Sequence, residues 1–127
     1  MKKRLWLICL LILLIVSGCA HTNIGKIDIS NGKTPDFLRI GKTTKEDVLS
    51  SIGEPLGYRE QGNRTAMIYE YYTTYFVNFI FGAYLHEEGY SLNLVFESNT
   101  LASAEVKKEG WGFAADIDPQ LAQMLLR

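Results

Sequence analysis

The feature that most constrains what this chain can fold into is its first nineteen residues, because they decide how much of it is left to fold. Lys2, Lys3 and Arg4 form a positive cluster, an uncharged apolar run fills residues 5–16, and Ser17, Gly18 and Cys19 follow. A basic start, an apolar segment of about 7–15 residues and a small-residue cleavage site are the three parts of a secretory signal. The apolar run partitions into the bilayer while the cations hold the N-terminus on the cytoplasmic side. At twelve residues the run falls short of the ~20 that a spanning helix needs.

The ending distinguishes this signal from an uncleaved anchor or an ordinary secretory leader. Val16-Ser17-Gly18-Cys19 resembles the bacterial lipobox, an aliphatic residue and two small ones before a cysteine. That resemblance implies diacylglycerol on the Cys19 thiol, cleavage before it by signal peptidase II, and acylation of the new α-amine. Residues 1–18 are then a lipoprotein signal peptide, and 109 of the 127 residues remain, about the size of a domain with its own core. Three of the thirteen basic residues leave with the signal, so ten Lys and Arg face fourteen Asp and Glu, a net charge of −4. A balance this acidic argues against nucleic acid as a partner, and no cationic stripe is present to attract anionic lipid. Attachment is covalent, and three acyl chains exceed the two signals that stable anchoring requires.

Cysteine use agrees. Cys9 lies within the signal, so Cys19 is the one cysteine of the mature chain, and an intrachain disulfide, a Cys-ligated zinc and a thiol redox pair are excluded. Ala20 follows Cys19, where an aspartate would resemble the inner-membrane retention signal of enteric bacteria. The expected location is therefore the outer membrane, anchored by lipid at its periplasmic face.

Residues 19–34, with Asn, Thr, Ser, Gly and Lys among isolated Ile, read as a lipidated flexible tether. A domain over residues 35–127 follows. Residues 35–40 suggest a short helical turn, with Pro35 in the first-turn position. Thr43-Thr44-Lys45-Glu46 fits a capping box, in which Thr43 accepts from the N–H of Glu46 and Glu46 reaches back. Val48, Leu49 and Ile52 share one face, Gly53 supplies the stop, and Pro55 blocks continuation. From residue 67 the period shifts to two. Tyr69, Tyr71, Thr73 and Tyr75 alternate with Ile68, Glu70, Tyr72 and Thr74, and Leu92, Leu94 and Phe96 alternate with polar residues. Ser98-Asn99-Thr100 predicts a turn, and Ala102, Ala104 and Val106 a returning strand. Residues 77–85 either extend two long strands around a turn near Gly82 or form an apolar loop. Asp118-Pro119 predicts the start of a short amphipathic helix carrying Leu121, Met124 and Leu125.

Ile40-Gly41-Lys42-Thr43-Thr44-Lys45-Glu46-Asp47-Val48, followed by Ile52-Gly53-Glu54-Pro55, resembles the signature of the SmpA/OmlA family, the BamE-like lipoproteins. The aromatic strand and the Leu-x-Leu-x-Phe hairpin stand behind it in that family's order, so the resemblance spans about residues 36–108. It implies an α+β fold of two short N-terminal helices packed on a three-stranded antiparallel sheet, here with a short C-terminal helix. Gly41, Thr43, Gly53 and Pro55 then bound the helix and serve structure. The founding member is an accessory subunit of the machinery that folds β-barrel proteins into the outer membrane, so the resemblance implies a scaffolding role among envelope proteins. Fold alone does not carry function, and relatives of the same fold include inhibitor-type binding modules.

Catalysis needs a nucleophile–base pair, a carboxylate pair or a metal cluster, and none is legible. His21 falls in the expected tether, and His86-Glu87-Glu88 lacks a second histidine at helical spacing, so it reads as a solvated turn. No cofactor beyond the lipid on Cys19, no metal and no small-molecule substrate is expected. What remains is aromatic. Tyr71, Tyr72, Tyr75, Phe79 and Tyr84 are the candidate partner surface, on the expectation that one sheet face stays uncovered, since tyrosine gives rigid contact area at low entropic cost. Two functional classes stand open at this point. One is an envelope scaffolding subunit tied to β-barrel assembly or envelope integrity. The other is a stand-alone binding or inhibitor module with a different partner.

Overall fold

In the structure, a computed structural model that describes residues 1–16, 18–79, 82–109 and 117–127, an antiparallel sheet of five strands carries helices on both faces. The elements are α1 (Lys2–Val16), β1 (Gly18–Gly25), α2 (Lys45–Ile52), β2 (Gly57–Gln61), β3 (Arg64–Phe79), β4 (Gly82–Glu97), β5 (Thr100–Glu109) and α3 (Ile117–Leu126). The α+β class and the helix-on-sheet packing agree with the sequence. The three-strand count and the pair of N-terminal helices do not.

Two strands account for the difference. β2 is short and polar, and it folds back on β3 through a tight turn at Gly62, whose φ of +62° suits a hairpin of this kind. β1 is the segment expected to be a tether. It has no alternating pattern, yet Gly18 to Gly25 pair residue by residue with Asn78 to Tyr71 of β3. The gain is the satisfaction of a β3 edge that would otherwise stand open. The rest of the supposed tether is also held, since Ile29 is fully buried in the core, a burial that stabilises by about 1.5–3 kcal/mol. The helical turn expected at 35–40 is present as a single turn, closed by Leu38 N–H on Pro35 O at 3.0 Å. It does not extend into the second N-terminal helix that the resemblance implies.

β1 and β2 occupy the same edge of β3 at different heights, with β3, β4 and β5 following in order. One face packs Met67, Tyr69, Leu92, Leu94 and Phe96 against Ile29, Leu38, Val48 and Ile52, so the expected covering of the Leu92–Phe96 face by α2 is present. The opposite face packs Ala66 and Ile68 under Leu121 and Leu125 of α3, with Met124 beside them. Both cores lie at the same end of the long β3–β4 hairpin. Its other end, paired with β1, extends beyond the helices. The open question over residues 77–85 resolves as two long strands, with Phe79 opposite Gly82.

Turn chemistry matches the sequence at β4–β5, where Ser98 and Asn99 both take positive φ between Glu97 and Thr100, as a type I′ turn requires. α3 begins at Ile117, two residues before Pro119. Residues 2–12 of α1 are exposed, and no described helix is long and apolar enough to cross a membrane.

Candidate functional site

The helix-boundary residues come first, because they set the end of the sheet that is closed. Thr44, not Thr43, caps α2. Its hydroxyl accepts from Asp47 N–H at 3.2 Å, and Asp47 accepts from Thr44 N–H at 2.9 Å. Thr43 is withdrawn from capping because its side chain is buried and already committed. Its hydroxyl accepts from Arg39 N–H at 2.8 Å and donates to Phe37 O at 3.0 Å. Its backbone carbonyl also accepts from Leu101 N–H at 2.8 Å, while Gly41 N–H, at φ +78°, donates to Leu101 O. At the far end of α2, Gly53 at φ +90° closes the helix, and its carbonyl accepts from the Tyr69 hydroxyl at 2.7 Å. Burial holds that phenol up at about 12. Gly41, Thr43 and Gly53 thus take part in backbone bonds around α2, and the cap expected at Thr43 belongs to Thr44.

The opposite end of the sheet carries Cys19. It is exposed and lies directly across from Val77, at the start of β1. Two residues further, His21 lies across from Tyr75, and Tyr75 lies across from His86. The three rings therefore form a row across β1, β3 and β4. The His21 and Tyr75 rings stack at 4.5 Å, Tyr75 and His86 are 6.3 Å apart, and Tyr84 stacks on His86 at 6.2 Å with the planes 8° from parallel. Below the row, the Thr73 hydroxyl donates to Asn23 Oδ1 and lies 2.9 Å from His21 Nε2. Beside it, Glu88 accepts from Lys108 Nζ at 2.7 Å and from the Tyr90 hydroxyl at 3.0 Å, with His86 Nε2 at 3.3 Å. These bonds, Lys108's first among them, hold the Glu88 carboxyl down at about 2.

The five candidate contact residues do not form one surface. Tyr71 is buried in the α2-face core, 5% exposed, because the packing of that face extends one pair further than the sequence suggests. Tyr72 points to the other face, half-buried, and its hydroxyl donates to Glu70 at 2.6 Å. Tyr75 and Tyr84 are exposed and share the ring row. The Phe79 side chain lies outside the described residues. The sequence reading missed His21 and His86. Only the register of β1 on β3 brings them together, and that pairing joins segments about fifty residues apart.

A second feature sits where the two edge strands leave a notch, between Gly25 opposite Tyr71 and Gly57 opposite Ile68. Ile24, Pro55, Leu56 and Tyr72 line a groove there of about 350 Å³. Pro55 thus does more than stop a helix, since it forms one wall of this groove. Among the described residues, no three His, Cys, Asp or Glu side chains converge to hold a metal. The Tyr75 ring separates the two imidazoles of the row.

No family model, curated protein or solved structure matches this chain. What the chain offers is an exposed Cys19, an aromatic sheet end that no described residue covers, and an apolar notch beside it.

Proposed function

We propose that this chain is a lipoprotein of the bacterial outer membrane, acylated at Cys19, that serves as a non-catalytic scaffolding subunit among envelope proteins. The observation that carries the reading is the placement of Cys19. The lipobox residue is exposed at the end of the sheet that the helices leave uncovered. A domain so anchored turns its ring row toward whatever lies along the membrane surface.

The α2 segment with its Gly53 and Pro55 ending, followed by the aromatic strand and hairpin, supports membership of the SmpA/OmlA family. The five-stranded sheet departs from the three strands expected of that family, and on this reading β1 and β2 are additions to it. On that reading the partner is the β-barrel assembly machinery. The contact surface is the exposed ring row of Tyr75, His21 and His86, together with the Ile24–Leu56 notch. Rigid aromatic groups at such positions supply contact energy with little loss of rotamer freedom.

The test is crosslinked recovery of the lipidated protein from intact envelopes, with Cys19→Ser and Tyr75→Ala as controls. Recovery of the β-barrel assembly machinery, lost in Cys19→Ser and reduced in Tyr75→Ala, is the expected outcome. Recovery of a different single partner, with outer-membrane protein levels unchanged on depletion, transfers the chain to the stand-alone binding or inhibitor class.

A further inference from the structure

Polarity changes steeply along the uncovered end of the sheet. On β3, no charged residue occurs from Tyr71 to Phe79, and β1 carries none from Gly18 to Gly25. On β4 the first carboxylate is Glu87, behind Ala83, Tyr84 and Leu85. Reading toward the turn, Glu88 and Asn23 lie at one level, the His21–Tyr75–His86 row at the next, and Cys19, Val77 and Tyr84 at the next. On the reverse face at this end, Ala20, Phe76 and Leu85 lie side by side. Phe76 and Leu85 are 38% and 53% exposed on that reverse face, and Tyr84 is 57% exposed on the ring-row face. Both faces of this end thus present apolar groups that nothing in the described chain covers.

We propose that this hairpin end is a second, non-covalent membrane contact that seats the domain upright in the lipid headgroup layer beside its own acyl chains. The inference rests on acylation of Cys19. Acyl chains leaving Cys19 must enter hydrocarbon, which fixes the level of Val77 and Tyr84 at the membrane boundary. Phe79 lies two residues beyond Val77 on the same strand. At ~3.3 Å per residue the hairpin projects roughly 7 Å past the anchored residue. That matches the ~5–10 Å to which apolar faces sink at the headgroup–acyl boundary. Tyr75 and Tyr84 then stand at the depth where amphipathic rings collect, and the carboxylates remain in water. The paired β1 leaves no slack between lipid and domain, so the anchor holds the hairpin end at the surface at high effective concentration.

A spin label decides it. The acylated Cys19 offers no free thiol and Cys9 leaves with the signal, so Tyr84→Cys or Ser103→Cys introduces the one reactive thiol of the mature protein. Ser103 is exposed on β5, opposite Val95, at the helix-covered end. The lipidated protein is labelled in vesicles of phosphatidylethanolamine and phosphatidylglycerol, and collisions with oxygen and with a water-soluble nickel chelate are compared. The expected result is an oxygen-to-nickel ratio several-fold higher at 84 than at 103, with Leu85→Cys giving the same answer as an independent position. Equal ratios on a protein whose mass shows acylated Cys19 overturn the proposal and leave the lipoprotein reading intact. An unmodified Cys19 in that mass overturns both. Protection of position 84 from nickel in native envelopes but not in vesicles assigns the hairpin end to a protein partner, and overturns the proposal as well.

Discussion

At the residue scale, two adjacent threonines carry different work. Thr44 caps α2, and its replacement by alanine is expected to cost about 1 kcal/mol, the ordinary loss of an N-cap. Thr43 is buried with both of its hydroxyl bonds made to backbone. Thr43→Val keeps the shape but leaves the Arg39 N–H and the Phe37 carbonyl without that partner, and is expected to cost about 1–3 kcal/mol. Denaturant melts of the two variants should therefore rank Thr43→Val as the more damaging. The sequence could not separate them, because either threonine with an acid three residues on satisfies the capping pattern. The tertiary bonds of Thr43 decide it. Glu88 supplies a pH test. Its folded carboxyl binds a proton less readily than the ordinary carboxylate at 4.5, so its contribution to stability is complete above that pH. The contribution is lost as pH falls from there to about 2. Lys108→Gln removes the principal cause of the depression, and the fall in melting temperature over that acid range should be shallower in the variant.

At the element scale, legibility followed local signals. α2, the β4–β5 hairpin and α3 could be read because each is defined by its own period and end residues, from Val48 and Ile52 to the Ser98-Asn99 turn. β1 could not. Gly-Cys-Ala-His-Thr-Asn-Ile-Gly has no alternation, and what makes it a strand is an edge supplied by residues 71–78. The ring row went unread for the same reason, since it exists only in that register. Gly25 ends β1 at φ +150°, and a Cβ there would lie 2.7 Å from the Glu70 carbonyl oxygen and 2.9 Å from Tyr71 Cα. Both are backbone atoms of the paired strand and cannot swing aside. Gly25→Ala is therefore expected to loosen β1 specifically. Amide exchange at 19–24 should accelerate by an order of magnitude or more while α2 amides keep their rates.

At the scale of the whole molecule, stability is distributed unevenly along one hairpin. Between residues 64–71 and 90–97, β3 and β4 are packed on both faces, with α2 on one side and α3 on the other. Beyond that, cross-strand pairs and β1 hold the sheet with no covering layer among the described residues. Leu121→Ala, which empties part of the α3 face, is expected to cost about 2–5 kcal/mol and to lower the melting temperature of the whole domain. In solution without lipid, amides of 74–79 and 82–87 should exchange faster than those of 66–70 and 91–95, and addition of vesicles should slow the first set alone. Equal rates in both sets would show that the sheet opens as one unit.

The sharing of the β3 edge by β1 and β2 also sets an order of events. β2 meets its partner across a tight turn, whereas His21 of β1 waits for Thr73, 52 residues downstream. On the proposed export and processing at Cys19, that residue stays unpaired backbone until residues 71–78 have followed it. Closing so long a loop is the slow step in folding a sheet of this kind. On that proposal, the enzymes that acylate and trim the N-terminus find an open substrate during that interval. Once β1 docks, the same backbone is zipped along β3. Under the proposed processing, modification and folding compete for one segment, and the distance in sequence between the two strands is what would let modification go first.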